Sequence, residues 1–352
     1  MNNLSYKGKK IYLGLDVHKS SWDLKVLTEH TTQKQIHLSP GTVESLEKYV
    51  KSNYPGGEYF CAYEAGFSGF WLHHQLEQRG ISTIVVHAAD IPTTDKEKRF
   101  KTDKIDCTKI AKALKGGFLT GIYVPDKQQQ LDRSIVRQRY RCASDQRRIK
   151  NRIKAHLAFF GLQIEWEEGV SEKYWSHKMI NTIEQFAQQE DDQALIGEIE
   201  LLKQLRQSEA RAMRRIRVLS QTESYTNRVE WLRSIKGVGL LTAMVVLTEV
   251  GDIERFKDLD QLASYVGIVP GSKSSGDTEQ VKRIAKRGNK HLRTALILSA
   301  WMAVRNDAEM ALHYENYRRR MIGPRAIIKI ARKLLSRMRH VLINQCKLDY
   351  ST

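Results

Sequence analysis

Apolar residues in the first third of the chain follow a pattern of alternating strands and helices. Runs rich in β-branched and aromatic residues predict strands at 11–15, 22–27, 36–39, 59–63 and 81–87. Apolar residues at helical spacing predict helices over 42–49 and from about 70 to 79. Three strands joined by short connections, followed by strands separated by helices, predict a mixed α/β sheet.

The pattern changes near residue 128 and again near residue 226. Between these positions Glu, Gln, Arg and Lys recur at helical spacing without proline, and apolar residues such as Leu201, Leu205 and Ile216 recur along one face. This predicts a helical coiled-coil connector, interrupted near Gly161. We therefore expect three parts: an α/β domain at 1–127, the connector at 128–226 and a mainly helical domain at 227–352.

The charge balance indicates a polyanionic partner. The chain has 58 Lys and Arg against 40 Asp and Glu, a formal net charge of +18. An excess of this size favours nucleic acid, but it fits an enzyme and a simple binding module equally well. No stretch approaches the roughly 20 apolar residues of a membrane span, so we expect a cytoplasmic protein without a membrane partner. The four cysteines form no C-x-x-C pair, which favours reduced core thiols over a zinc site.

Four carboxylates occupy positions that could converge on a metal ion. Asp16 follows an apolar strand, Glu64 ends another, and Asp103 and Asp106 lie on a predicted helix that begins near 102. The i, i+3 spacing places the two helix carboxylates on one face, where they can share one ion. Such acids repel one another unless a cation neutralises them, and hard oxygen ligands suit Mg²⁺ or Mn²⁺. A surface carboxylate or helix cap explains any one acid alone; four together in a basic chain favour metal-dependent phosphoryl transfer.

A loop of small residues is the second candidate for chemistry. It lies within 265–277 and contains Ser274, Ser275 and Gly276. A serine hydroxyl is a weak nucleophile unless cations or metals around a phosphate lower the barrier to its attack. The cations that follow the loop are Lys282, Arg283, Lys286, Arg287, Lys290 and Arg293. Flexible loops often contain Ser-Ser-Gly, so spacing alone leaves a catalytic serine and a plain loop both open.

Three further segments are candidates for contact with a nucleic-acid backbone. The loop before the acidic helix carries Lys98, Arg99 and Lys101, although a merely exposed loop would have the same composition. The basic part of the connector carries Arg147, Arg148, Lys150 and Arg152. Lys236, Gly237 and Gly239 separate two apolar helices, the pattern of a helix-hairpin-helix whose backbone N–H groups bind phosphate. A plain tight turn between core helices is the alternative for that last segment.

Four ordered motifs resemble the DEDD transposases of bridge-RNA-guided insertion sequences, and the likeness extends over nearly the whole chain. They are GLDVHK at 14–19, YEAG at 63–66, KTDKID at 101–106 and GIVPGSKSSG at 267–276. The resemblance implies a RuvC-like ribonuclease-H fold that holds Mg²⁺ or Mn²⁺ through Asp16, Glu64, Asp103 and Asp106. It also implies a C-terminal transposase domain in which Ser275, or the adjacent Ser274, attacks DNA and forms a transient covalent link. Cys107 stands where the family often has alanine, and we interpret it as a packing substitution.

The same resemblance implies the partners. They are donor and target DNA, a non-coding bridge RNA that pairs with both, and further copies of this chain in a dimer or tetramer near the prokaryotic nucleoid. In that family the serine of one subunit meets the carboxylates of another. Two alternatives stay open: a metal-dependent junction nuclease in which water attacks, and a non-catalytic nucleic-acid-binding protein whose acids are structural.

Overall fold

The computed structural model describes residues 6–29, 32–92, 103–164, 175–271, 274–275, 278–279, 282–284 and 288–350. Side chains are described throughout these ranges except at 32–34, 103–105 and the strand residues within 270–284. The chain divides into two compact units, Met1–Pro125 and Asp126–Thr352. Within the ranges given, no helix combines the length and the apolar character needed to cross a lipid bilayer.

The first unit is built on a mixed five-stranded sheet. Its strands are β1 (Lys10–Val17), β2 (Trp22–Leu27), β3 (Thr32–Leu38), β4 (Glu58–Glu64) and β5 (Ile81–Val86), in the spatial order β3-β2-β1-β4-β5. Antiparallel pairing joins β3 to β2 and β2 to β1, whereas β1, β4 and β5 run parallel. The helices are α1 (Val43–Asn53), α2 (Trp71–Gln78) and α3 (Asp103–Lys115), with a short 3-10 turn at Ala88–Asp90. The mixed sheet predicted from the apolar pattern is confirmed.

The two faces of this sheet have different roles. Side chains alternate between the faces along a strand, so Leu13 and Leu15 of β1 point one way and Gly14 points the other. The leucine face packs against the apolar sides of α1 and α2, including Leu46 and Leu72, all fully buried. Helix α3 lies on the opposite face, against β1, β2 and β4. The predicted acids therefore belong to the face that α3 covers.

The second unit is mostly helical. Its helices are α4 (Lys127–Phe159), α5 (His177–Gln189), α6 (Gln193–Ser220), α7 (Thr226–Arg233), α8 (Leu240–Val250), α9 (Leu259–Val266), α10 (Lys290–Asn306), α11 (Ala308–Arg318) and α12 (Gly323–Ile343). Helices α4 and α6 pack along each other, and α4 ends just before Gly161, where the interruption was predicted. Ile149, Ile183 and Leu202 belong to one apolar cluster that joins α4, α5 and α6, and a larger cluster is centred on α8, α10 and α12. A mixed α/β sheet and a largely helical region are thus confirmed, while the three-part division at 127 and 226 stays a prediction.

The small-residue loop of the second unit contains short strands that the sequence did not predict. They are β6 (Pro270–Gly271), β7 (Ser274–Ser275), β8 (Thr278–Glu279) and β9 (Lys282–Ile284), with β6 paired to β9 and β7 to β8, both antiparallel. Strands this short present no alternation of apolar and polar residues, so the pattern that revealed the central sheet has no counterpart here.

Candidate functional site

Asp16 and Glu64 lie at the same edge of the central sheet. Strands β1 and β4 are parallel and pair Leu15 with Tyr63, so each acid is the residue that follows this pair. Because Leu15 and Tyr63 are buried on the leucine face, the alternation of side chains directs both carboxylates to the face that α3 covers. The structure thus places these two predicted site residues on neighbouring strands.

Helix α3 approaches this face unusually closely at Gly14. A Cβ atom added at Gly14 would lie 2.2 Å from the carbonyl oxygen of Cys107 and 2.4 Å from the backbone nitrogen of Ala111. Only glycine leaves room for the helix backbone at this distance. The close contact holds the backbone at Cys107, the residue after Asp106, against β1. The side chain of Asp103 lies outside the described residues, and its backbone begins α3.

Asp23 is a carboxylate at this face that our sequence analysis missed. It pairs directly with Asp16 across the antiparallel β1–β2 ladder, which places both side chains on the same face. Its side chain is only 14% exposed, and its Oδ1 atom lies 3.2 Å from Nδ1 of His37 on β3. The register that places it there is set by a hairpin turn in which the His18 amide donates to the Ser21 carbonyl at 3.0 Å, and the apolar pattern of the sequence does not reveal that register.

Asp16 and Asp106 each have a side-chain nitrogen atom nearby, as Asp23 does. His18 Nε2 lies 3.4 Å from Asp16 Oδ2, and Lys109 Nζ lies 3.4 Å from Asp106 Oδ1. Burial raises the pKa of the Cys107 thiol to about 11, and the neighbouring charges of Asp23 and Asp16 add to the increase. Cys107 is therefore a protonated packing residue between acids at neutral pH, which matches its interpretation as a packing substitution.

The complete quartet stays a prediction. Among the side chains that the structure describes, no group of three or more His, Cys, Asp or Glu converges as a metal site, and the Asp103 side chain is not among them. The arrangement provides two acids on adjacent strands, a third acid opposite one of them, and a helix that brings a fourth.

The serine motif lies between Gly267 and Gly288, in residues 268–287, which we call the serine segment. The two ends of this segment are held together. Backbone pairing sets Ser275 opposite Thr278 and Ser274 opposite Glu279; the side chains of both serines lie outside the described residues. A Cβ atom added at Gly288 would lie 2.5 Å from Cα of Gly267. The residues that bracket the segment are therefore in direct backbone contact.

The predicted cations of α4 differ in their environments. Arg147, Arg148 and Arg152 are exposed, with Arg148 paired to Asp145 and Arg152 Nη2 3.2 Å from Glu198 Oε2. Lys150 is half-buried with its Nζ atom 5.7 Å from the centre of the Trp175 ring, and burial lowers the pKa of its ammonium group. The arginines thus present charge to solvent, whereas Lys150 is partly committed to packing.

The predicted helix-hairpin-helix corresponds to α7 and α8 and the residues between them. The backbone N–H of Lys236 donates to the Tyr350 hydroxyl at 2.8 Å, and its ammonium group lies 4.4 Å from the centre of that ring. Gly237 packs against the backbone of Ala303, whereas Gly239 is exposed and precedes α8 without a side-chain cap. Contact with phosphate at this turn stays a prediction.

The remaining predicted cations fall into two groups. Lys290 is exposed and Arg293 half-buried on the first turn of α10, and Lys282 and Arg283 form part of β9. The others lie outside the described residues: Lys98, Arg99, Lys101, Lys286 and Arg287.

Comparison with known proteins identifies relatives along most of the chain. Residues 13–161 match the model of an IS110-type DEDD family described as "Transposase", and residues 229–315 match the model described as "Transposase IS116/IS110/IS902 family". The chain is 30% identical over 306 residues to the putative transposase y4qE of Sinorhizobium fredii, an alignment that covers 83% of this chain and 72% of that protein. It is 28% identical over 342 residues to the putative transposase y4rJ of the same organism, covering 86% and 82%. It is 28% identical over 255 residues to the transposase for insertion sequence element IS1533 of Leptospira borgpetersenii, covering 70% and 71%.

Proposed function

Because the chain belongs to the IS110/IS116 family of DEDD transposases, we propose that it cleaves and rejoins DNA through a serine nucleophile and a metal-binding carboxylate site. Family membership makes it a DNA-transposing enzyme of an insertion sequence, so the non-catalytic alternative no longer applies. The observation that supports this site most strongly is the contact between Gly14 and the backbone of α3, which brings an acidic helix onto an acidic sheet edge.

The strand order supports a RuvC-like ribonuclease-H fold for the first unit. That fold has three antiparallel strands followed by two that run parallel to the first, and this sheet has the order β3-β2-β1-β4-β5 with that pairing. In open sheets of this kind, ligands bind at the carboxyl ends of the parallel strands. Asp16 and Glu64 occupy such ends.

The residues fit a divalent metal in their chemistry. We assign Asp16, Glu64, Asp103 and Asp106 as the side chains that would hold Mg²⁺ or Mn²⁺, because hard cations prefer carboxylate oxygens. Bound metal would offset the repulsion among the acids and stabilise charge on the phosphoryl oxygens. The nitrogens of His18 and Lys109 lie close enough to moderate the same repulsion before binding.

The proposed reaction proceeds in two displacements. The Ser275 hydroxyl oxygen attacks phosphorus, forming a phosphoserine ester while the bond to one strand oxygen breaks; the serine proton is lost and the departing strand leaves as a hydroxyl. A strand hydroxyl from the second DNA then attacks the phosphoserine and releases serine, so the number of phosphodiester bonds is conserved. The nearby cations, Lys290 and Arg293 among them, would hold the phosphate for both displacements.

A guide RNA and an oligomer complete the proposal. The exposed arginines of α4 form a row suited to a nucleic-acid backbone, and the excess of 18 positive charges supports more than one such partner. We propose that a non-coding bridge RNA pairs with donor and target DNA, and that serine and acids from different subunits act together. Sequencing RNA that co-purifies with the protein tests the first point: a defined species complementary to DNA flanking the element is expected, and only random fragments would contradict it.

Trapping of a covalent adduct tests the nucleophile. On a suicide DNA substrate with Mg²⁺ present, the wild-type protein should form a protein–DNA adduct that survives a denaturing gel. Ser275→Ala should abolish the adduct and strand exchange but keep DNA affinity, and Ser274→Ala is the matched control that should retain both. Cleavage without any adduct would support the junction nuclease in which water attacks. Adduct formation by Ser275→Ala would remove Ser275 from the mechanism.

A metal titration tests the acidic site independently of DNA chemistry. Asp16→Asn should lose the rise in melting temperature that Mn²⁺ gives the wild-type protein, because ligand binding to the folded state stabilises it. An equal rise in the variant and the wild type would remove Asp16 from the metal site.

A further inference from the structure

Glu249 is a fully buried carboxylate near the end of α8. Both oxygens of its carboxylate accept hydrogen bonds from Arg137 of α4. Arg137 donates from Nε to Oε1 at 2.6 Å and from Nη2 to Oε2 at 2.7 Å, which makes a bidentate ion pair. Arg133 Nε lies 3.6 Å from Oε2. Burial by itself would raise the pKa of Glu249, but the hydrogen bonds and charge of Arg137 outweigh it and hold the pKa below its ordinary value. Glu249 is therefore ionised in the folded protein.

The same carboxylate binds the residue that follows the serine segment. Asn289 donates from Nδ2 to Oε2 of Glu249 at 2.8 Å. Its Oδ1 atom accepts the backbone N–H groups of His291 at 3.0 Å and Leu292 at 3.1 Å, which caps α10. With the donor and the acceptor of its amide both engaged, Asn289 has one side-chain orientation.

Glu249 also binds the residue that precedes the segment. The Tyr265 hydroxyl, on the last turn of α9, donates to the backbone carbonyl of Glu249 at 2.9 Å. The carbonyl of Tyr265 accepts the backbone N–H of Asn289 at 2.9 Å, next to the backbone contact between Gly267 and Gly288. Both ends of the segment that carries Ser275 are therefore attached to one buried glutamate.

The ion pair between Glu249 and Arg137 contributes more to the positions of its partners than to the stability of the fold. A buried ion pair contributes little net stability relative to apolar residues of the same size, whereas breaking it leaves an uncompensated charge. Arg137 belongs to α4, the helix whose exposed arginines lie further along the same axis, and a continuous helix transmits a displacement as a rigid element. A force applied to α4 by bound nucleic acid would thus reach Glu249 directly.

We propose that Glu249 is a positioning residue that fixes the base of the serine segment and connects it, through Arg137, to helix α4. Asn289, which follows Gly288 at the end of the serine segment, makes the hydrogen bond that connects this segment to Glu249. The inference rests on the proposed function, because it assigns Glu249 a role in orienting the serine, and it adds residues that the family motifs do not include.

Substitution of Asn289 tests the link without removing the helix cap. Asn289→Asp keeps the shape and the capping oxygen, because Asp caps helices as well as Asn, but it removes the amide donor and adds a second carboxylate beside Glu249. Asn289→Ser also keeps a cap and adds no charge. We expect both variants to form the covalent DNA adduct about 10- to 100-fold more slowly, since small misplacements of reacting groups cost rates of this order. DNA affinity should be unchanged.

An exchange of donor and acceptor provides the readout that a purely structural role would not give. In Asn289→Asp/Glu249→Gln the amide and the carboxylate trade places, so their hydrogen bond can form again. The same exchange removes the bond from Arg137 Nη2 to Oε2, and the single variant Glu249→Gln measures the effect of that loss. We expect the double variant to form the adduct faster than the product of the two single-variant rate losses predicts. Asp258→Asn, a matched carboxylate-to-amide exchange at the cap of α9, should keep the wild-type rate because Asp258 caps only Gln261.

The outcomes separate this inference from the proposed function. A wild-type adduct rate in both Asn289 variants would overturn it, as would a double variant no faster than the product of the two single-variant rate losses. If Ser275→Ala forms the adduct, the serine assignment itself fails. If Ser275→Ala is inactive while the Asn289 variants are fully active, only the role of Glu249 fails.

Discussion

Gly14→Ala is the substitution that most directly tests how the acidic site is assembled. The added methyl group would meet the carbonyl oxygen of Cys107 at 2.2 Å and the backbone nitrogen of Ala111 at 2.4 Å. Backbone atoms of a helix cannot rotate away as the end of a side chain can. Helix α3 must therefore move as a body, and Asp106 moves with it.

The size of the movement follows from the distances. Ordinary van der Waals contact begins at 3.4 Å, so relieving the contact at 2.2 Å requires about 1.2 Å of displacement. Overpacking of a well-packed interior costs about 1–3 kcal/mol, or roughly 4–12 °C in melting temperature for a unit of this size. A displacement of about 1 Å at reacting groups can cost about 100-fold in rate. We expect the loss of cleavage to exceed what the loss of folded protein explains.

The assay compares Mg²⁺-dependent cleavage of a labelled DNA substrate with the melting temperature measured by calorimetry. Gly197→Ala on α6 makes the same chemical change in open space, and should keep wild-type cleavage while stabilising the helix by about 0.5–1 kcal/mol. Adding Ala111→Gly to Gly14→Ala should not restore cleavage, because the two nearest contacts are backbone atoms. Wild-type cleavage and stability in Gly14→Ala would show that α3 does not hold its carboxylates against β1 as described.

Three further predictions concern the carboxylates and the basic helix. Asp23→Asn should slow Mg²⁺-dependent cleavage about tenfold, because Asp23 is paired with Asp16 across the ladder; an unchanged Mg²⁺ titration would limit Asp23 to a structural role. Arg147→Ala should reduce the slope of log binding constant against log salt concentration by about 0.9 if the side chain contacts one phosphate; an unchanged slope would place the nucleic acid elsewhere. The pKa of Glu249 is lower in the folded protein than its ordinary value of 4.5, so the unfolded chain takes up more protons in acid and this stabilisation is lost as the pH falls through that range. Thermal melts from about pH 6 down to about pH 2.5, which extend well below the ordinary value, should therefore fall more steeply for the wild type than for Glu249→Gln, and parallel curves would refute this.

The central sheet was predictable because its strands are continuous apolar runs. Ile11, Leu13 and Leu15 of β1 are fully buried on one face of the sheet, and their spacing in the sequence already has a period of two. The ends of those runs located Asp16 and Glu64, since acids that follow buried strands must emerge at a sheet edge. Helix α1 extends to Asn53, beyond the predicted end at residue 49, because Val50 continues its buried face.

The residues that were missed depend on pairing across the chain. Asp23 is one polar residue within a strand of alternating pattern, and only the register of the β1–β2 hairpin sets it opposite Asp16. Glu249 lies within the apolar run of α8, where a single acid is itself a signal of a buried partner. That partner, Arg137, is more than one hundred positions away and indistinguishable in sequence from the other arginines of α4. The local sequence pattern shows which face of a strand or helix is buried. It does not show which distant residue a side chain will contact, because tertiary packing decides that.

Glu249 and Asp106 differ in how tightly their carboxylates are paired with cations, and the difference matches their proposed roles. Glu249 is bound by Arg137 at 2.6 Å with both oxygens engaged, which fixes a position that should not change during the reaction. Asp106, by contrast, has the Lys109 ammonium nitrogen 3.4 Å from its Oδ1 atom and keeps 26% of its side-chain surface exposed. A contact of that length is longer than an ordinary hydrogen bond, so a competing divalent cation would replace it at little cost. A tight ion pair at the sheet edge would occupy the carboxylate oxygens that the proposed metal site needs, whereas the bidentate pairing of Glu249 with Arg137 suits its proposed role of holding the serine segment in place.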